Sequence, residues 1–119
     1  MTIAETSKKY GLTADTLRYY ERIGLIPPVP RTKGGVRNYD DASCGWIELV
    51  RCMRSAGVQI EALIEYGALC RQGEGTEERR KEILLEQRAL LLGRMEKMQR
   101  SLDRLDYKIA NYDQILRGK

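Results

Sequence analysis

Residues 13–39 read TADTLRYYERIGLIPPVPRTKGGVRNY. Thr13 supplies a hydroxyl at the position where a helix begins, so it predicts an N-cap. Leu17, Tyr20 and Ile23 then share one helical face, while Asp15, Arg18, Tyr19 and Arg22 look elsewhere until Gly24 ends the helix. Upstream, Thr2 with Glu5 three residues later forms a capping box. Ile3, Ala4 and Ser7 line the following face and Gly11 stops it. Two short helices around a glycine-containing turn make a helix-turn-helix candidate over residues 2–24. Downstream, Pro27, Pro28 and Pro30 with the Gly34–Gly35 pair forbid a helix through residues 25–39. The glycine pair reads as a hairpin tip. The apolar Ile26 and Val29 before it, and Val36 and Tyr39 after it, predict a small two-stranded wing.

Beyond the wing, Asp40 or Asp41 opens a third helix carrying Trp46, Ile47, Leu49, Val50 and Met53 and closing at Gly57. Ile60, Leu63, Ile64, Gly67 and Leu69 mark a fourth, so helices occupy residues 40–71 before the glycines at 73 and 75. The compact domain is expected to span residues 1–75. From Thr76 to Lys119 there is no proline, and at about 1.5 Å per residue a helix here reaches about 60 Å. Leu84, Leu91, Met98, Leu105 and Tyr112 recur every seven residues. Met95, Leu102, Ile109 and Leu116 interleave with them, and only Arg88 breaks the seam. About five heptads outrun what so small a domain can cover, so residues 76–119 read as a dimerisation helix that pairs with a second copy.

The composition narrows the function. The 119 residues hold 21 Lys and Arg, 17 Asp and Glu and no His, and three cysteines. Without histidine the commonest general base and metal-ligating ring are missing, so triads and catalytic sites are disfavoured. Cys44, Cys52 and Cys70 match no CxxC spacing, so neither a metal centre nor a cofactor is expected. No apolar run is long enough for a membrane span, and the N-terminus does not read as a secretory signal; a cytoplasmic protein with free thiols is expected. Residues 1–39 carry seven bases (Lys8, Lys9, Arg18, Arg22, Arg31, Lys33, Arg37) against three acids, whereas residues 40–75 reverse the sign. An electrostatic footprint for a polyanion therefore falls at the N-terminal third.

The run IAETSKKYGLTADTLRYYERIGLI, then PP, then the basic glycine-containing wing ending in ArgAsnTyr at 37–39, resembles the DNA-binding domain of MerR-family bacterial transcription regulators. The combination LRYYE with IGL is specific to it. The resemblance implies a mainly α fold, with a winged helix-turn-helix DNA-binding domain followed by a long antiparallel coiled-coil dimerisation helix. It also implies a homodimer that binds double-stranded promoter DNA, distorts a promoter spacer and so engages RNA polymerase. No enzymatic activity is implied.

On physical grounds Thr13, Ala14 and Thr16 fall near the N-terminal entry of the second helix. Arg18 can pair bidentately with guanine or hold a phosphate, Tyr19 offers its hydroxyl to the DNA backbone, and Arg22 lies beside them. In the wing Arg31, Lys33 and Arg37 flank a tip narrow enough for an adjacent groove, and Tyr39 is a candidate phosphate anchor.

The effector is read from what the coil lacks. Residues 76–119 contain neither Cys nor His, so a mercury- or copper-type site is not expected, and with the chain ending at Lys119 neither an iron-sulfur cluster nor an appended drug-binding domain is implied. Residues 46–66 are similar to a subgroup that responds to aldehydes, quinones and other thiol-reactive electrophiles or oxidants, and its characteristic cysteine falls on Cys52. The local residues are mixed: Arg51 and Arg54 are near in sequence, Glu48 opposes ionisation, and Val50 and Met53 beside Cys52 suit a packed core thiol equally well. The alternatives are a metal or other small-molecule effector, or a purely structural Cys52. A coiled-coil adaptor would explain the long helix but not the basic wing, and a thiol enzyme lacks a base.

Overall fold

The computed structural model describes residues 1–118, arranged as α1 (Ile3–Tyr10), α2 (Ala14–Arg22), α3 (Asp41–Ser55), α4 (Ile60–Gln72) and α5 (Glu77–Arg117). The caps fall where the sequence places them. Thr2 Oγ1 accepts the Glu5 N–H at 3.1 Å and Glu5 returns the bond to the Thr2 N–H at 2.9 Å, completing the capping box of α1. Gly11, at φ 66°, then turns the chain left-handed, a conformation other residues adopt only at a cost. Thr13 caps α2 through the Thr16 N–H, and Asp40 caps α3 through the Ser43 N–H at 2.8 Å. No side-chain cap bonds the start of α4 at Gln59.

Two units are distinguished, Met1–Leu85 and Glu86–Lys119; Lys119, the last residue of the expected coil, lies outside the described residues. The first unit is built around Leu17 from α2, Leu25, Ile26, Val29 and Tyr39 from the wing segment, and Ile47 and Val50 from α3. Leu63 of α4 and Tyr10 of α1 close the same core. In α1 the buried side chains are Thr6 and Tyr10, with Ile3 packed against the core and Ser7 half-buried on the same face; of the three expected residues only Ala4 is exposed. Thr6 is accommodated because its hydroxyl donates to the Thr2 carbonyl at 2.8 Å.

The boundary lies ten residues later than the loop at 73–75 suggests. Thr76 and Ile83 are buried, the Thr76 hydroxyl donates to the Leu69 carbonyl, and Arg79 pairs with Glu65 of α4 at 2.9 Å. The first turns of α5 therefore belong to the compact unit.

The wing also differs from expectation. Among the described residues it contains a single antiparallel bridge, Arg31 to Arg37, and no strand. Prolines 27, 28 and 30 offer no backbone N–H, and the one between them, that of Val29, donates to Glu21 Oε2 at 2.9 Å, so the incoming limb has no spare ladder donor before Arg31. The tip nonetheless turns at the glycine pair: Gly35 has φ 80°, its N–H donates to the Thr32 carbonyl, and Thr32 N–H donates to Val36 at 2.8 Å. Val36 is exposed, whereas Ile26, Val29 and Tyr39 are buried.

Candidate nucleic-acid interface and thiol pocket

The N-terminal end of α2 is built by Thr13, whose Oγ1 accepts the Thr16 N–H at 3.0 Å and donates to the Thr16 hydroxyl at 2.8 Å. Both hydroxyls are thereby held at the helix entry, with Ala14 half-buried between them. One turn on, Arg18 is exposed and pairs with Asp15 at 3.0 Å. Tyr19 is 41% exposed with the Arg22 guanidinium 5.4 Å from its ring, while Tyr20 packs against the core. The helix so divides its two adjacent tyrosines between surface and interior.

Between α2 and the wing lies an open depression of about 440 Å³ lined by Arg18, Glu21, Arg22, Pro28 and Arg37. Arg37 is not a free surface cation. Its Nε donates to Glu21 Oε1 at 2.8 Å and its side chain is only 25% exposed. Burial works against ionisation of Glu21, but the Arg37 and Val29 hydrogen bonds and the charges of Arg37 and Arg31 outweigh it, holding the carboxyl below its ordinary range. The bond to Glu21 in turn raises Arg37. Arg31 is exposed and donates to the Gly35 carbonyl at 2.8 Å, steadying the tip, and Lys33 stands exposed beside it.

Tyr39 requires a correction. It is 1% exposed, its hydroxyl is enclosed without a hydrogen-bond partner, and burial pushes the phenol up. It is a core residue and does not present its hydroxyl to a phosphate. Its position after the wing made it look peripheral, but the Tyr39 N–H donates to the Met1 carbonyl at 2.8 Å and draws the segment inward.

Cys52 is exposed on α3, while its neighbours Val50 and Met53 turn inward, so it is not packed as a core thiol. It borders a pocket of about 460 Å³ lined by Leu12, Tyr20, Glu48, Arg51, Arg54 and Ser55 as well as Cys52 itself. Two of these groups are engaged elsewhere: the Arg54 guanidinium donates to the Val58 carbonyl at 2.8 Å, and Glu48 accepts the Tyr10 hydroxyl at 3.1 Å. Arg51 lies 5.7 Å from the Tyr10 ring centre. Cys44 and Cys70 are half-buried. Among the described residues no group of three or more potential ligands converges as a metal site, and no helix is long and apolar enough to cross a membrane.

Along α5 the seam is open. Leu84, Met95, Met98, Leu102, Leu105, Ile109, Tyr112 and Leu116 are all exposed, and Leu91 is half-buried. Residues off the seam, including Leu85, Leu90, Leu92, Tyr107 and Ile115, are exposed as well.

Sequence reasoning missed Glu21. An acid in the midst of seven bases was the available signal, and it marks an internal ion pair.

A short helix-turn-helix, a basic loop after it and a long amphipathic helix together define a helix-turn-helix regulator fold. Residues 1–68 match the family described as MerR HTH family regulatory protein. The chain belongs to this family. It is 55% identical over 92 residues to the HTH-type transcriptional regulator AdhR of Bacillus subtilis strain 168, a match covering 77% of this chain and 66% of that relative's length. A crystal structure of a MerR family transcriptional regulator from Listeria monocytogenes superposes with a TM-score of 0.92 at 55% identity, covering 95% of this chain and 86% of the other. A second, HiNmlR, a MerR family regulator lacking the sensor domain and bound to promoter DNA, gives a TM-score of 0.84 at 30% identity, covering 95% and 90%. These relatives are transcriptional regulators and not enzymes.

Proposed function

We propose that this chain is a cytoplasmic, sequence-specific transcriptional regulator that binds double-stranded promoter DNA through α2 and the wing. The observation that carries the reading is the set of bases lining the depression between α2 and the wing, Arg18, Arg22 and Arg37, with Arg31 and Lys33 exposed on the wing itself, in a chain similar over 95% of its length to a regulator seen on promoter DNA. Thr13, Ala14 and Thr16 stand at the helix entry where side chains reach base edges, and Tyr19 with the surrounding cations holds phosphates. Arg37 serves from the wing while tethered to Glu21.

Two copies joined through the α5 seam present two α2 helices to a palindromic site. A small change at the joint then twists or bends the promoter spacer and alters its use by RNA polymerase.

The effector reading rests on Cys52. An exposed thiol at the border of a pocket can add to an aldehyde: the sulfur bonds to the carbonyl carbon, the C–O π pair moves to oxygen, and the thiol proton ends on that oxygen as a hemithioacetal. Because Leu12 of the α1–α2 turn and Tyr20 of α2 line the same pocket, an adduct presses on the helix-turn-helix. A bound small molecule in this pocket that leaves the thiol unmodified is the competing reading.

Fluorescence anisotropy on the chain's own upstream DNA across a salt series tests the first proposal. Arg18→Ala is expected to weaken binding and to lower the salt slope by about 1. Absence of binding by the wild-type chain at low salt overturns it. For the effector, formaldehyde, methylglyoxal and a quinone are followed by intact mass and in vitro transcription. A Cys52→Ser variant that keeps its full response refutes the thiol sensor.

A further inference from the structure

A carboxylate on a face meant for phosphates is electrostatically misplaced unless it acts internally, and among the described residues Glu21 is the only acid lining the depression between α2 and the wing. Its two oxygens are both committed. Oε2 accepts the Val29 N–H at 2.9 Å and Oε1 accepts Arg37 Nε at 2.8 Å, and the side chain is 16% exposed. Val29 lies on the incoming limb of the wing and Arg37 on the outgoing limb, where it also closes the bridge to Arg31. One side chain of α2 therefore grips both limbs of a loop that has a single bridge pair and no strand to stiffen it. The bonds within the loop, Thr32 to Val36, Gly35 to Thr32, Asn38 to Pro30 and Arg31 to Gly35, shape it without aiming it; Met1 anchors the base of the outgoing limb, donating to Asn38 Oδ1 at 3.1 Å and to the Tyr39 carbonyl at 2.9 Å, but it does not reach α2, the incoming limb or the tip.

We infer that Glu21 is the positioning residue of the wing: through Val29 and Arg37 it sets the angle between the wing and α2, and so determines how the wing meets DNA without touching a nucleotide itself. This rests on the DNA-binding reading above. Two consequences separate it from a general structural role. The first is spatial, since only wing contacts should suffer while contacts from α2 persist. The second is graded: Glu21→Gln keeps an oxygen for the Val29 N–H but offers Arg37 no charge, whereas Glu21→Ala loses both bonds.

Hydroxyl-radical footprinting of the full chain on its own promoter fragment, with wild type, Glu21→Gln and Glu21→Ala at matched helix content by circular dichroism, decides the matter. The wild type is expected to protect a central set of sugars at α2 and a flanking set at the wing. Glu21→Ala should keep the α2 protections, lose the wing protections and bind about tenfold more weakly, with Glu21→Gln in between. Wing protections that persist in Glu21→Ala, or that fade in step with those of α2, overturn the inference. Should Glu21→Ala fail to fold, the same comparison is made with Glu21→Gln, and unchanged wing protections there overturn it. A wild-type chain that protects nothing fails earlier, at DNA binding itself, and takes the inference with it.

Discussion

Replacing Leu102 and Leu105 together by alanine tests the α5 seam where its consequences are largest. The two side chains are 50% and 60% exposed in the single chain, so about half of each remains to be covered by a partner. Fully burying a leucine is worth about 1.5–3 kcal/mol, which leaves about 1–1.5 kcal/mol per residue to be gained on pairing. Two residues in each of two chains make four such contributions, and alanine retains a part of each, so the loss is about 4 kcal/mol. At about 1.4 kcal/mol per tenfold, the dimer dissociation constant should rise by about a thousandfold. Sedimentation velocity over a concentration series from nanomolar to micromolar measures it directly. The wild-type chain should sediment as a dimer across the series and the double variant as a monomer over most of it, with circular dichroism reporting the helix content of each. A wild-type chain that stays monomeric at micromolar concentration, or a double variant as dimeric as the wild type, refutes the reasoning. The first result would mean that the apolar face serves another partner; the second, that these two positions lie off the contact.

Two further outcomes follow from Tyr39 and Glu21 of the first unit. Tyr39→Phe removes the enclosed hydroxyl that has no partner while keeping the ring. Since such a group costs about 1–3 kcal/mol, the variant should melt several degrees above the wild type in a thermal scan and bind operator DNA unchanged. A fall in affinity without a fall in stability would restore Tyr39 as a DNA contact. The Glu21–Arg37 pair predicts an acid dependence. The folded carboxyl titrates below its unfolded value of about 4.3, so its contribution is present above that pH and is lost as the pH falls through the folded value. The melting-temperature difference between wild type and Glu21→Gln should therefore be constant near pH 6 and shrink below about pH 4. A difference that does not change with pH would show the pair to be energetically idle.

Local codes explain why so much of this protein was readable from its residues. A capping box needs only Thr2 and Glu5, and a helix stop needs only Gly11. Alternation of apolar and polar residues at a 3.6 period needs only the neighbouring turns, so α1 to α4 and the long α5 emerge from short-range rules. The open seam from Leu84 to Leu116 is equally local, because a helix exposes its stripe whatever else the chain does. The division of Tyr19 and Tyr20 between surface and core follows from the 100° step between consecutive residues. What tertiary structure alone decided are the matters that depend on distance across the fold. Tyr39 was drawn into the core by residues from α2, α3 and the wing segment, none of which its own neighbours reveal. Cys52 sits between two inward-facing positions, yet its exposure depends on where α3 docks, and its pocket needs Leu12 and Tyr20 from another part of the chain. Glu21 reads locally as one more charge on a polar helix face. Only when the wing folds back to within 2.9 Å does it become the joint between two elements, because an ion pair 16 residues apart has no signature in composition or period.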